Sequence, residues 1–273
     1  MIMSEAELQQ KILTTIGNAE RRLTLTDLQK ELSCRNRKEK RALRSAMRAL
    51  IDQSDLMYVS EDGHTFIENA LNKPVRLSDR VVIKPENCSF NAGNDDVVIN
   101  LENGISFGSG QHATTRLCLK GLETLIHLRP ALAALERSSA LDIGTGSGIL
   151  IIAAVQMGLK RGMGIDVDPI SISEAKRNVQ INKLDDCICI SPQPFEEIAD
   201  SFDMILANLR WPTLNAYLPK IIQNLKTEGF LLLSGIQSQE RDALVELGER
   251  NKLSLLWQDK DKGWAAVGFQ KVI

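Results

Sequence analysis

The 273-residue chain has little of what builds covalent or metal scaffolds. Its five cysteines, Cys34, Cys88, Cys118, Cys187 and Cys189, are odd in number and include no C-x-x-C pair. That excludes a disulfide framework and a zinc ribbon. The Cys187-x-Cys189 spacing would put both thiols on one face of a strand, where they read as buried small apolar residues. Histidines number only three, and no His/Cys/Asp grouping has ligand spacing, so no metal is expected. Long apolar runs are missing too. The longest, Ile149 to Leu159, falls short of the ~18 residues that a membrane helix needs. The opening Met1-Ile2-Met3-Ser4-Glu5 turns polar at once, which argues against a secretory signal and predicts a cytoplasmic protein. Charge of one sign is also lacking: Lys+Arg 33 against Asp+Glu 35 leaves a net of -2, so any nucleic-acid surface must be local. What remains is ordinary folded composition, 43% hydrophobic and 25% charged, at a length that suits one large domain plus a small one.

Two regions differ in pattern. In the first, Leu8, Ile12, Leu13 and Ile16 mark one helical face, and Leu25-Thr26-Asp27 offers a cap for a short helix ending near Leu32. A third helix is expected from Lys38 to Asp52, with Leu43, Met47, Leu50 and Ile51 inward. Two β-prone runs, Leu56–Val59 and His64–Ile67, flank Asp62-Gly63, a strong hairpin signal. Three helices and a hairpin predict a winged-helix-like domain over 1–75. Arg35, Arg37, Lys38, Lys40, Arg41, Arg44 and Arg48 crowd its third helix. They offer a phosphate-binding surface, or a solvated face on a protein-docking module.

Beyond Pro74, two short strands, Val81–Ile83 and Val97–Ile99, precede a strict alternation of strands and helices from Ala140 onward. The expected strands are 140–143, 162–166, 186–190, 202–208 and 230–234, followed by a pair at 253–258 and 264–271. Such alternation predicts an α/β domain over 76–273, a seven-stranded, mostly parallel Rossmann-like sheet with ligands at the carboxyl ends of its strands.

Leu141-Asp142-Ile143-Gly144-Thr145-Gly146-Ser147-Gly148 leaves one strand and opens a helix. Gly144 and Gly146 would let a ligand approach the backbone, and Gly148 would let the helix pack close to the sheet. Asp166, at the end of the next strand, can accept both hydroxyl hydrogens of an adenosine ribose. Asp142 suits a positively charged group better than a pyrophosphate. This pattern resembles the class I S-adenosylmethionine-dependent methyltransferases.

Upstream, Phe107-Gly108-Ser109-Gly110-Gln111-His112-Ala113-Thr114-Thr115 forms a glycine loop before a helix, with Thr114 as a potential cap. As a string it resembles the signature of the ribosomal protein methyltransferases, of PrmA type. Gly164-Ile165-Asp166-Val167-Asp168-Pro169, Ala207-Asn208-Leu209, Leu233-Ser234-Gly235-Ile236 and the lead-in Arg80–Pro85 resemble that family as well, over about 76–271. The resemblance implies a protein amine, on a ribosomal protein, as methyl acceptor. It implies S-adenosylmethionine contacts by Thr115, Gly144, Asp166 and Asn208, with Phe107, Gly108, Asp142, Gly146 and Gly148 around them, and Asn208 facing the transferred methyl. The winged-helix-like front departs from the family's recognition domain.

Trp211, three residues after Asn208, would stack on a planar target, hold an alkylammonium by cation–π contact, or pack at a helix start. His112 would act as a base, touch substrate, or order its loop. His64 and His127 read as structural or solvent-facing. Two other functions fit the same residues: an RNA or DNA base methyltransferase holding nucleic acid on the basic helix, and a non-enzymatic regulator that senses S-adenosylmethionine.

Overall fold

A computed structural model describes residues 4–19, 23–61, 64–102, 112–128 and 137–272. The chain divides into two units at the Lys73–Pro74 bond. In the first, α1 (Glu5–Asn18), α2 (Leu25–Glu31) and α3 (Arg37–Asp52) precede strands β1 (Leu56–Glu61) and β2 (His64–Asn69). Each helix starts with a capping box: Ser4 with Glu7, Thr24 with Asp27, and Asn36 with Glu39. The second helix therefore begins at Leu25, and the residues expected to cap it, Leu25-Thr26-Asp27, form its first turn instead. Thr24 Oγ1 accepts the Asp27 N–H, so Asp27 is the partner in the cap. Ile12, Leu28, Leu43, Met47, Leu50, Leu56 and Ile67 form the core. The strands pair antiparallel; the expected Asp62-Gly63 tip lies outside the described residues.

The second unit opens with β3 (Val75–Arg76), β4 (Val81–Pro85) and β5 (Val97–Leu101) in a small sheet, β4 parallel to β5. Helix α4 (Ala113–Leu128) anchors it through Glu123, whose carboxylate accepts from Ser78 Oγ and from the Arg80 and Val81 amides. Then follow β6 (Ser139–Ile143), α5 (Ile149–Gln156), β7 (Arg161–Ile165), α6 (Pro169–Ile181), β8 (Ile188–Ser191), β9 (Phe202–Asn208), α7 (Trp211–Asn224), β10 (Leu225–Gln237), α8 (Arg241–Arg250), β11 (Leu253–Asp261) and β12 (Trp264–Lys271).

The last seven strands form one sheet in the order β11-β12-β10-β9-β6-β7-β8. The five central and right-hand strands run parallel, and β12 and β11 close the other edge antiparallel. From β6 the chain moves outward to β7 and β8, then returns to β9 on the other side. That reversal places a crevice at the carboxyl ends of β6, β7 and β9. The small sheet docks on α6 through two asparagines. Asn182 exchanges hydrogen bonds with both backbone groups of Asn100, and Asn178 accepts from the Glu102 amide.

One expectation fails at the β8 edge. Ile188 and Ile190 face the core while Cys189 is exposed and Cys187 only half-buried. Strand alternation gives the inward positions to the isoleucines, so the thiols are not buried filler.

A β-bulge between Leu233 and Ile236 interrupts β10 where it pairs with β12. Gly235 sits there at φ +83°, and a Cβ on it would lie 2.5 Å from the Leu209 carbonyl oxygen. Gly263 has nearly the same φ, +80°, with nothing within 4 Å of such a Cβ. Gly263→Ala therefore carries only the backbone strain of a left-handed residue, about 1 kcal/mol. Gly235→Ala adds crowding and should cost roughly 1–3 kcal/mol more in urea denaturation. Equal losses for the two variants would show that Leu209 does not depend on this bulge.

Candidate active site

Register alone assembles the site. Ile143 pairs with Ile165 on one side and with Ala207 on the other. The residues that follow each of these, Gly144, Asp166 and Asn208, therefore emerge side by side at the sheet's carboxyl edge.

The turn after β6 is closed by glycines at positive φ: Gly144 at 71°, Gly146 at 54° and Gly148 at 79°. The amides of Gly144 and Thr145 both donate to the Ile165 carbonyl at 2.9 Å. The Gly146 amide donates to Asp166 Oδ2 at 2.9 Å, and Asp166 Oδ1 accepts from the Asp168 amide at 3.0 Å. Asp166 thus ties the glycine turn to the turn after β7. Each of its oxygens retains lone-pair capacity for a further donor, as a vicinal diol would require. The glycines do not all work as the sequence suggests. A Cβ on Gly144 would meet the Leu209 side chain at 2.7 Å, so Leu209 fills that space. Gly148, the N-cap residue of α5, admits Ala175 of α6 at 3.3 Å, so its closeness serves helix–helix rather than helix–sheet packing.

Asp142 lies beneath the turn, 1% exposed. Its Oδ2 accepts from Thr145 Oγ1 at 2.7 Å, while Oδ1 is buried with no partner of hydrogen-bond geometry. The Ile151 amide acts on the carboxyl only as a weaker contact. Burial pushes the carboxyl up to about 7; the Thr145 hydroxyl opposes the rise and the charge of Asp166 adds to it. Neighbouring Cys118 is buried, and its thiol is pushed upward by burial and by Asp142. That makes it inert as a nucleophile.

Asn208, at the end of β9, donates from Nδ2 to Thr114 Oγ1 at 3.1 Å. Thr114 Oγ1 lies 2.8 Å from His112 Nδ1, and the Thr114 amide points at the same nitrogen at 3.3 Å. An amide can only donate, so Nδ1 is the acceptor and the neutral ring carries its proton on Nε2. The Thr114 hydroxyl then donates to His112 and accepts from Asn208. This chain orients the amide and leaves Asn208 Oδ1 buried without a partner. The His112 ring also meets Trp264 edge-on, with centroids 5.3 Å apart.

The structure thus gathers Asp142, Gly144, Gly146, Asp166, Asn208 and His112. Thr115 is buried next to Thr114 on α4. Trp211 begins α7 and is half-buried against the sheet's main core. Phe107 and Gly108 lie outside the described residues. The bond from Asn208 to Thr114 is not legible in the sequence, because a Thr at the start of an apolar helix reads as a cap. Its only signal was position beside His112 in one short string. His64 and His127 are exposed, and among the described residues no group of side chains could hold a metal ion.

The chain is similar to known proteins in sequence and in fold. The family model for "Ribosomal protein L11 methyltransferase (PrmA)" matches residues 36–272. A ribosomal protein L11 methyltransferase of Geotalea uraniireducens is 32% identical over 202 residues, 72% of this chain and 64% of the relative. One of Pelobacter propionicus is 40% identical over 176 residues, 64% of this chain and 56% of the relative. The chain thus spans less than two thirds of the length of these relatives. The crystal structure of a ribosomal protein L11 methylase from Lactobacillus delbrueckii subsp. bulgaricus superposes with a TM-score of 0.64 at 25% identity, covering 74% of this chain and all of that one.

The raised Asp142 carboxyl has a measurable consequence. The native state binds this proton more tightly than the unfolded chain, so its contribution to stability is complete below about pH 4 and is lost as pH rises through about 7. Replacing Asp142 with Asn should flatten the stability–pH curve across that window, in denaturant titrations at several pH values. An unchanged slope would mean that the carboxyl is ionised throughout.

Proposed function

The chain belongs to the ribosomal protein L11 methyltransferase (PrmA) family, and on that premise we propose that it is an S-adenosylmethionine-dependent N-methyltransferase of a protein amine. The acceptor would be a ribosomal protein, as the relatives' names suggest, and the reaction would take place in the cytoplasm. Residues 76–273 would carry the chemistry. Residues 1–75, a winged-helix-like unit in this reading, would dock the polypeptide. None of the helices is long and apolar enough to cross a membrane among the described residues.

The observation that carries the reading is the pair of buried, unpartnered oxygens, Asn208 Oδ1 and Asp142 Oδ1, on either side of Gly144 and near Asp166. Buried polar atoms are normally satisfied, and two orphans in one crevice fit a polar ligand. The donor set suits this cofactor. Asp166 would hold the ribose hydroxyls, Asp142 the ammonium, and Thr115, Gly144, Gly146 and Gly148 would line the close approach, with Phe107 and Gly108 before them. When bound, S-adenosylmethionine supplies a sulfonium methyl, an electrophile already activated.

The chain's own work is then alignment, the amine's proton passing to water. An amine attacks only when neutral. Asn208 Oδ1 accepts a hydrogen bond from the attacking N–H and so directs the nitrogen lone pair. Holding reacting atoms at ~3–3.5 Å is worth several kcal/mol. Thr114 is a positioning residue: it fixes which way the Asn208 amide faces. His112 holds Thr114 through Nδ1 and so helps to fix the Asn208 amide. Trp211, three residues past Asn208, would grip the cationic form of the amine before it loses its proton.

Incubating the enzyme and methyl-tritiated S-adenosylmethionine with cell extract should label material that protease destroys and nuclease does not. Nuclease-sensitive label would replace this reading with base methylation, and absence of turnover would favour a sensor. With the labelled substrate in hand, Asn208→Ala should lower kcat by about 100-fold. Thr114→Val should lower kcat with little change in KM for the cofactor, and Thr114→Ser should restore it. Equal kcat for the Val and Ser variants would remove Thr114 from the account.

A further inference from the structure

A groove of about 390 Å³ opens on the first unit, lined by Leu25, Arg44, Met47, Arg48, Ile51 and Tyr58. Helical spacing builds it. Arg44, Met47, Arg48 and Ile51 fall on one face of α3, with Leu25 from the start of α2 and Tyr58 from β1 completing the walls. Met47 is buried, Leu25 and Ile51 are half-buried, and Tyr58 is 50% exposed, a large aromatic left facing water. Both arginines are exposed, and neither has a hydrogen-bond or ion-pair partner among the described residues. The groove therefore combines an apolar floor with two unpaired guanidinium groups on its rim.

We propose that this groove docks an acidic amphipathic segment of a partner protein, with apolar side chains on Met47, Ile51 and Leu25 and carboxylates on Arg44 and Arg48. The guanidinium fork suits carboxylates, which it can bind in pairs. The floor gains nothing from a phosphate backbone but gains from Leu or Phe anchors, the usual mode of helix-in-groove recognition. The charge of the whole unit points the same way: residues 1–73 hold 12 Lys and Arg against 11 Asp and Glu. Arg37, Lys38, Lys40 and Arg41 lie N-terminal to the groove on the same helix and offer a polyanion a row of cations, but at the groove itself Asp52, one turn beyond Arg48, would oppose one. A short segment with two or three carboxylates needs only the local pair. The inference rests on the first unit being a recognition module and not on methyl transfer.

Fluorescence anisotropy on the full-length chain tests it without turnover, so its failure is distinct from failure of the catalytic reading. The probes are a panel of fluorescein-labelled helical peptides with Glu and Asp on one face and Leu and Phe on the other. Controls are the same peptides with Ser in place of Leu and Phe, an RNA hairpin and a DNA duplex. Acidic amphipathic peptides should bind. The Ser controls should bind at least ~10-fold more weakly, and so should the double variant Arg44→Glu/Arg48→Glu and the single variant Tyr58→Ser. These side chains are exposed, so unchanged thermal melting should accompany the loss. The proposal is overturned if no peptide of the panel binds, if the Ser controls bind as well as their parents, if well-folded variants keep full affinity, or if RNA or DNA binds more tightly than every peptide.

Discussion

Three glycines held at positive φ close the turn between β6 and α5, and the rest of the site depends on that turn. Only this backbone brings the Gly144 and Thr145 amides onto the Ile165 carbonyl and the Gly146 amide onto Asp166. The bonds join two neighbouring strands at their carboxyl ends, so the turn and the acidic residue are placed by the same contacts. Parallel register on both sides of β6 then sets Asn208 opposite Asp166, with Gly144 between. On the far side of β9, the bulge at Gly235 leaves room for the Leu209 backbone, and Leu209 in turn covers Gly144. The crevice is thus a consequence of sheet register, fixed by left-handed residues at two points.

The polar groups of this crevice are arranged at a cost. A buried carboxyl with one satisfied oxygen and a buried amide with a free carbonyl oxygen each destabilise the fold, by roughly 1–3 kcal/mol per unsatisfied group. The protein retains both within one crevice while satisfying the groups around them with care. Thr145 holds Asp142, and Thr114 and His112 hold Asn208. Thr145, Thr114 and His112 are bonded behind the site while one oxygen each of Asp142 and Asn208 is left open in it, the arrangement expected of a preorganised binding site.

The strands of the large sheet are legible in the sequence because two strong signals coincide there: short apolar runs, and helical segments of 8 to 14 residues between them. The glycine turn and Asp166 were legible because each needs a particular residue type at a particular strand end. Other features were hidden. Thr114 reads as a cap because a hydroxyl at the start of an apolar helix has that common role, and its link to Asn208 spans 94 residues of chain. Thr24 does not stand out as a cap beside its neighbours because the deciding bond comes from Asp27. The exposure of Cys189 follows from which face of an edge strand packs, which spacing alone does not give. Leu209 filling the space over Gly144 is a tertiary contact with no local signature.

The crevice should bind a nucleoside with a cationic amino-acid arm. Isothermal titration calorimetry of S-adenosylmethionine against the purified chain tests this most directly, with Asp166→Ala as the comparison. One cofactor should bind per chain, and the alanine variant should bind at least ~10-fold more weakly, because a charge-assisted pair of ribose hydrogen bonds is lost. No heat of binding to the folded wild-type chain, or equal affinity in the two proteins, would contradict the assignment of Asp166 and with it the reading of the whole site.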